Sequence, residues 1–220
     1  MNTNQIEQEI YRSLTKVLRD KGIQIDPSLT VPISVSARHV HLSPEHVDIL
    51  FGKGYSLTYF RDISQPGQYA CQEKVSLVGP KGQIDNVRIL GPSRGQTQVE
   101  VSGTDARQLG VKPPVRRSGN LNGSEAITIQ APTGRKLELA EGCIIADRHI
   151  HMTTEDAQRF NVADGDRVAV KVSGEKPGIM GNVTVRVKDT YKLDMHIDTD
   201  DGNAFLIQGS NVGEIVKESW

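Results

Sequence analysis

The sequence predicts a mainly β protein, and three observations carry that prediction. Short runs such as RVAVKV and NVTVRV alternate apolar and polar residues, as half-buried strands do. Gly- and Pro-rich turn signals such as GPKG separate these runs, and helical periodicity is confined to residues 4–21 and two brief capped turns. Many short strands joined by turns favour barrels or sandwiches over a parallel α/β sheet. At 220 residues the chain can bury one large or two small cores.

The elements follow in order. Residues 4–21 place Ile6, Ile10, Leu14, Val17 and Leu18 on one face of an amphipathic helix, with Gly22 positioned to end it. GIQIDPSLTVP reads as a linker, and ISVSARHVHL as a single strand. After His41 the pattern switches to Ser43 as N-cap, Pro44 at the first helical position and Glu45 in the first turn. A second capped helix begins at Thr153, with Glu155 and Asp156 in its first turn, and ends before NVADGD. VSLVGPKGQIDNVRIL is strand, turn and strand, whereas LDMHIDTDDGNA begins as an alternating segment.

The octad RHVHLSPE at 38–45 returns as RHIHMTTE at 148–155, and these two copies hold four of the six histidines. A repeat at this distance favours two domains. Residues i and i+2 of a strand share a face, so His39 with His41 and His149 with His151 each aim two imidazoles into one space. That is half of a metal site, and zinc usually takes a third protein ligand. His196 is the candidate third ligand for the second copy; for the first, Glu100 and the nearer Glu45 are both available. Arg38 and Arg148 lie on the opposite strand face and are expected to pair with carboxylates. His46 has no counterpart in the repeat and is expected to face solvent. In GPSRG, Gly91 and Gly95 bracket Arg94, a loop suited to presenting a guanidinium to an oxyanion. DTDDG lacks the alternation and final Glu of a calcium loop.

Composition excludes several classes. Lys and Arg total 26 against 27 Asp and Glu, with no basic block of the kind that neutralises nucleic-acid phosphates. The apolar runs are too short for a membrane span, and the N-terminus has no signal-peptide core. A soluble, cytoplasmic protein without nucleic-acid or membrane partners is the expectation. Cys71 and Cys143 stand apart from other ligand-type residues and read as buried thiols.

The runs SARHVHLS, QPGQYA, GPKGQ, NVRILGPSR, QVEVSGTDAR, SGNLNG, ADRHIHM and MHIDTDDGNA, in this order over about residues 31–205, closely resemble the propanediol-utilisation type of phosphate acyltransferase, the phosphate propanoyltransferase family. The resemblance implies reversible transfer of an acyl group between coenzyme A and phosphate, and two zinc or similar divalent ions per chain. It implies His39, His41 and Glu100 as one ligand set, and His149, His151 and His196 as the other. Arg94 matches the family's phosphate-binding arginine, and Val35, Ser36, Ala37, Lys81, Arg88 and Asn203 would contact coenzyme A. Gly103 stands where family members commonly carry Arg.

The implied architecture is two β-barrels capped by short helices and interleaved in sequence: 28–37 with 147–216 in barrel one, 38–146 in barrel two, with an inserted segment near 52–72. Residues 1–27 would be helix and linker, whose apolar stripe either packs on its own barrel or a partner subunit or, the reading favoured, forms an encapsulation tail that docks with the shell or enzymes of a bacterial microcompartment; a homodimer is implied. No Ser-His or Cys-His pair recurs, so direct metal-assisted attack of phosphate on the thioester is expected. Two rivals stand beside this reading. HVHLSPEHVDILFG satisfies H-x-H-x3-E-x6-G, the first cupin signature, and a metal-stabilised binding module would need no catalysis.

Overall fold

The computed structural model describes residues 29–208 and 211–216, so the helix expected over 4–21 lies outside the described residues. In chain order the strands are β1 (Thr30–Ser36), β2 (His39–His41), β3 (Tyr59–Asp62), β4 (Tyr69–Val78), β5 (Gln83–Gly91), β6 (Gln98–Glu100) and β7 (Val115–Arg116). They continue as β8 (Glu125–Gln130), β9 (Lys136–Ala146), β10 (His149–Met152), β11 (Arg167–Val172), β12 (Gly178–Val187), β13 (Asp194–Asp198) and β14 (Val212–Val216). The helices are α1 (Pro44–Phe51), α2 (Gly103–Leu109), α3 (Thr154–Phe160) and α4 (Thr199–Ala204).

The protein is mainly β and forms two closed six-stranded barrels. Barrel one closes in the order β1, β13, β10, β12, β11, β14. Barrel two runs β4, β5, β2, β6, β9 and closes through β8, with β3 and β7 added outside the ring. The pairing pattern is duplicated. β2 is parallel to β5 and antiparallel to β6, and β10 is parallel to β12 and antiparallel to β13. β6 is parallel to β9, as β13 is to β1.

The interleaving follows from where the chain changes barrels. ISVSARHVHL is not one strand: pairing stops after Ser36, passes Ala37 and Arg38 unpaired, and resumes at His39 in the other barrel. β9 leaves barrel two at Ala146 in the same way, and β10 begins barrel one three residues later. Each crossing carries an arginine whose guanidinium is held by a helix N-terminal carboxylate. Arg38 donates to Asp105 (2.8 Å), and Arg148 donates through Nε and Nη2 to Asp201.

The capped turns form as their sequences require. Ser43 accepts from the His46 amide ahead of α1, with Pro44 at its first position, and Thr153 forms a reciprocal capping box with Asp156 ahead of α3. Two further helices, α2 and α4, are seven and six residues long. Their N-caps are Ser102 and Asp198.

Alternation divides each barrel strand between a core and an outer face. Val40, Leu42, Ile89, Val99 and Val101 turn into barrel two; Ile150, Met152, Val183, Val185 and Met195 turn into barrel one. Each such fully buried side chain stabilises the fold by roughly 2 kcal/mol. The histidines of β2 and β10 therefore point out of their barrels, yet every residue of both H-x-H strands is buried. The opposite barrel covers them.

Candidate active site

A cleft of about 710 Å³ lies between the barrels, and His39, His41 and Glu100 line it together with His149, His151 and His196. Register explains both triplets. In the antiparallel pair β2–β6, His39 stands directly opposite Glu100, and in β10–β13, His149 stands directly opposite His196. One His-x-His strand and the cross-strand partner of its first histidine thus make each cluster. Within either triplet the donor atoms lie within 4.8 Å of one another. Donors sharing a tetrahedral ion lie about 3.4 Å apart, so small side-chain adjustments close either set on an ion.

The hydrogen bonds around the triplets also fit metal. His39 Nδ1 is 2.9 Å from the Ala37 carbonyl and His149 Nδ1 is 2.7 Å from the Asp147 carbonyl, bonds that leave both Nε2 atoms as acceptors. His41 Nδ1 and His151 Nδ1, equivalent atoms in the two copies, are buried with no partner. An unpaired buried nitrogen is costly, and a cation accepted at both places removes the cost. Burial, reinforced by the charges of His39 and Arg94, pushes His41 down to about 2. Burial and His196 take His151 to about 3. Burial, with Arg186 beside it, likewise holds His149 well below the ordinary value. All three are neutral at physiological pH, the form that binds metal.

The carboxylates differ between the clusters. Gln98 Nε2 and Ser118 Oγ both donate to Glu100 Oε1, leaving Oε2 to face His39 Nε2 at 3.5 Å. In the other cluster His196 Nε2 lies 3.2 Å from Asp194 Oδ2, which also accepts from Ser34. Burial works to raise the Asp194 carboxyl, but His196, Ser64 and Ser34 together outweigh it and hold it below the usual carboxylate range.

Arg94 lines the same cleft. Its amide donates to the Leu42 carbonyl at 3.0 Å, which ties the GPSRG loop to the end of β2. The turn into that loop needs Gly91, because a Cβ there would lie 2.4 Å from the Tyr69 ring. Burial lowers the proton affinity of the Arg94 guanidinium, which still remains a cation at neutral pH.

A family model described as phosphate propanoyltransferase matches residues 32–208. The chain belongs to the phosphate propanoyltransferase family. Proteins of that name similar to this chain include one from Lachnoclostridium phytofermentans, 50% identical over 217 residues, covering 98% of this chain and 99% of the relative. Another, from Alkaliphilus metalliredigens, is 46% identical over 212 residues, covering 96% and 99% respectively. A third, from Clostridioides difficile, is 46% identical over 206 residues, covering 94% and 98%. The chain is accordingly an acyltransferase.

Around the cleft, the residues singled out in the sequence divide clearly. Val35, Ser36, Ala37 and Arg88 line it, whereas Lys81 and Asn203 do not and are exposed elsewhere. The Lys81 amide bonds the Leu109 carbonyl on the side of barrel two where α2 ends. Glu45 is exposed on α1 and belongs to neither triplet, which removes the carboxylate ligand that the cupin signature requires. His46 does not simply face solvent: it is half-buried, and its Nδ1 lies 2.7 Å from Thr97 Oγ1. Cys71 and Cys143 are fully buried thiols, and burial pushes them up to about 11 and about 12.

Other cleft residues were not singled out in the sequence. Tyr191 packs against the His151 ring with centroids 4.3 Å apart, and Ser64 Oγ lies 3.2 Å from His196 Nε2. Ser64 comes from the 52–72 segment, which Gln65 fastens to barrel one through bonds to both the carbonyl and the amide of Lys192. Arg186 is the largest omission. The arginine in NVTVRV sits on the same strand face as Thr184, opposite to Val183 and Val185, so its alternation was a usable clue. Among the described residues, no helix is long and apolar enough to cross a membrane.

Proposed function

We propose that this acyltransferase moves a short acyl group, propanoyl or acetyl, between the sulfur of coenzyme A and inorganic phosphate in the cleft between the barrels. The observation that carries this reading is the convergence of two metal-ready triplets and the Arg94 guanidinium on one cleft. His39, His41 and Glu100 would hold one divalent ion, and His149, His151 and His196 the other, with zinc favoured by the imidazole-rich donor sets. When bound, such ions supply Lewis-acid stabilisation for negative charge developing on sulfur or oxygen.

The chain's own groups do the rest. Arg94 binds phosphate through its planar fork and offsets the anion's charge as it nears the thioester. A phosphate oxygen bonds to the carbonyl carbon, the C–S bond breaks, and coenzyme A departs as thiolate with the bonding electron pair. Direct transfer is favoured over an acyl-cysteine intermediate, because both thiols are buried and protonated. Coenzyme A would run along Val35, Ser36 and Ala37 towards Arg88; Lys81 and Asn203 would meet it only outside the cleft. Homodimer formation, and microcompartment docking through residues 4–21, belong to the same reading. A chain starting near residue 24 should therefore fail to co-package with shell proteins.

The test is coenzyme A release from propanoyl-CoA with and without phosphate, on protein as purified and after chelation, with bound metal quantified in the same samples. Release that needs both phosphate and metal is expected. Release without phosphate, or activity unaffected by complete metal removal, overturns the proposal.

A further inference from the structure

We infer that Arg186 is a second phosphate-binding arginine, so that the anion is gripped from both sides, by Arg94 of barrel two and Arg186 of barrel one. The inference rests on the acyl-phosphate reaction proposed above.

Arg186 is 5% exposed and lines the cleft beside both triplets. It lies on β12 in register with His151 of β10, so the two side chains leave the sheet on the same face. One edge of its guanidinium is fixed, because Nη2 donates to Asp147 Oδ1 at 2.6 Å. Asp147 is itself held by Thr184, whose hydroxyl donates to Oδ2 at 2.8 Å. The Arg186 Nε, in contrast, is buried with no partner. A buried cationic donor left unpaired is expensive, and a guanidinium pinned along one edge presents its remaining donors in a fixed direction.

The internal duplication isolates this feature as an addition to the scaffold. Position 186 pairs with the second histidine of its barrel, and the equivalent position in barrel two, by the pairing of Val40 with Ile89 one residue earlier, is Leu90. Asp147, whose carbonyl bonds the first histidine, corresponds to Ala37, whose carbonyl does the same. An ion pair has thus been placed in one copy where the other has Leu and Ala. Asp147 gives it a position: its main chain orients His149 while its side chain holds Arg186. Arg94 enters from the opposite barrel, on a loop tied to β2. Arg186 lies near enough to disfavour the Arg94 charge, and Glu100 favours both charges. A tetrahedral dianion has the charge and the acceptor oxygens to take two guanidiniums that line one cleft.

The experiment compares wild type, Arg186→Gln, and the double variant Asp147→Asn with Arg186→Gln, which removes both members of the pair and leaves no unpaired buried charge. Binding of inorganic phosphate is followed by calorimetry, the KM values for phosphate and propanoyl-CoA by coenzyme A release, and bound metal by elemental analysis. Both variants should bind phosphate on the order of 10- to 100-fold more weakly and raise its KM similarly, while the KM for propanoyl-CoA moves less than about threefold. If the double variant recovers wild-type phosphate binding, or if both KM values rise together, Arg186 is a structural partner of Asp147 and the proposal fails. Phosphate binding that needs Arg186 in a wild type unable to release coenzyme A would keep this site and sink the reaction instead.

Discussion

The two barrels share one blueprint and differ in a few side chains, and the difference separates scaffold from chemistry. Strand pairing, the His-x-His strand, the capped helix after it and the arginine before it are the same in both. What changes lies on the face turned towards the cleft. Opposite the first histidine stands Glu100 in barrel two and His196 in barrel one, and opposite the second stand Gln98 and Asp194. Barrel two therefore gives its cluster a carboxylate in the triplet and a neutral amide beside it. Barrel one gives three imidazoles with the carboxylate alongside. A cation held by the first set is partly neutralised by a direct ligand, whereas one held by the second keeps more of its charge. Two outward-facing His-x-His strands share one pairing pattern, and their different cross-strand partners make them unequal.

The largest effect should come from breaking one cluster at a time. His39→Ala and His149→Ala should each lose about one metal equivalent per chain, and coenzyme A release should fall by on the order of 10³-fold in either variant. The metal left behind distinguishes the clusters. If both variants lose both metals, the two sites are one cooperative unit rather than two copies.

The paired arginines at the barrel crossings sharpen the comparison at a smaller scale. Arg38 binds Asp105, whose side chain is 2% exposed, while Arg148 binds Asp201, which is 18% exposed. Removing an arginine strands its carboxylate, and the penalty grows with that carboxylate's burial. Both arginine side chains are more than a third exposed, which tempers the loss through solvent screening. Arg38→Ala should cost about 2 kcal/mol in urea unfolding, and Arg148→Ala about 1 kcal/mol. Equal losses would mean that the crossings matter through backbone geometry instead.

How far the sequence carried these conclusions depended on the range of the interaction. Alternation, caps and the repeated octad are local, so β2 with α1, β10 with α3, and the outward aim of four histidines could be read directly. The third ligands were only candidates, because cross-strand register is set by pairing over 61 residues between His39 and Glu100, and 47 between His149 and His196. Local alternation even misled at ISVSARHVHL, where an unbroken pattern hides a change of barrel. There the two halves pack on different cores, and Arg38 turns to Asp105 across the junction. Arg186 went unnoticed for a related reason. Its strand reads as half-exposed, and the opposite barrel that buries its polar face is invisible to periodicity.

Residue for residue, the smallest expected effect is in pH dependence, and it too should be unequal between the barrels. In metal-depleted protein His41, His149 and His151 remain neutral because burial disfavours their charged forms. Once unfolded, each recovers an ordinary value near 6.5 and takes up a proton below it. The unfolded state then binds more protons, so stability is full above about pH 6.5 and falls as pH drops towards the folded values of about 3 for His151 and about 2 for His41. Between pH 7.5 and 6.0 each such histidine should remove about 0.8 kcal/mol. Barrel one holds two of these three residues and barrel two holds one. Against the slope of the metal-depleted parent, measured by urea midpoints at the two pH values, His41→Gln should remove about one third, and His149→Gln with His151→Gln about two thirds. Equal shares would mean that the clusters relax differently when empty, with a barrel-one histidine reaching solvent.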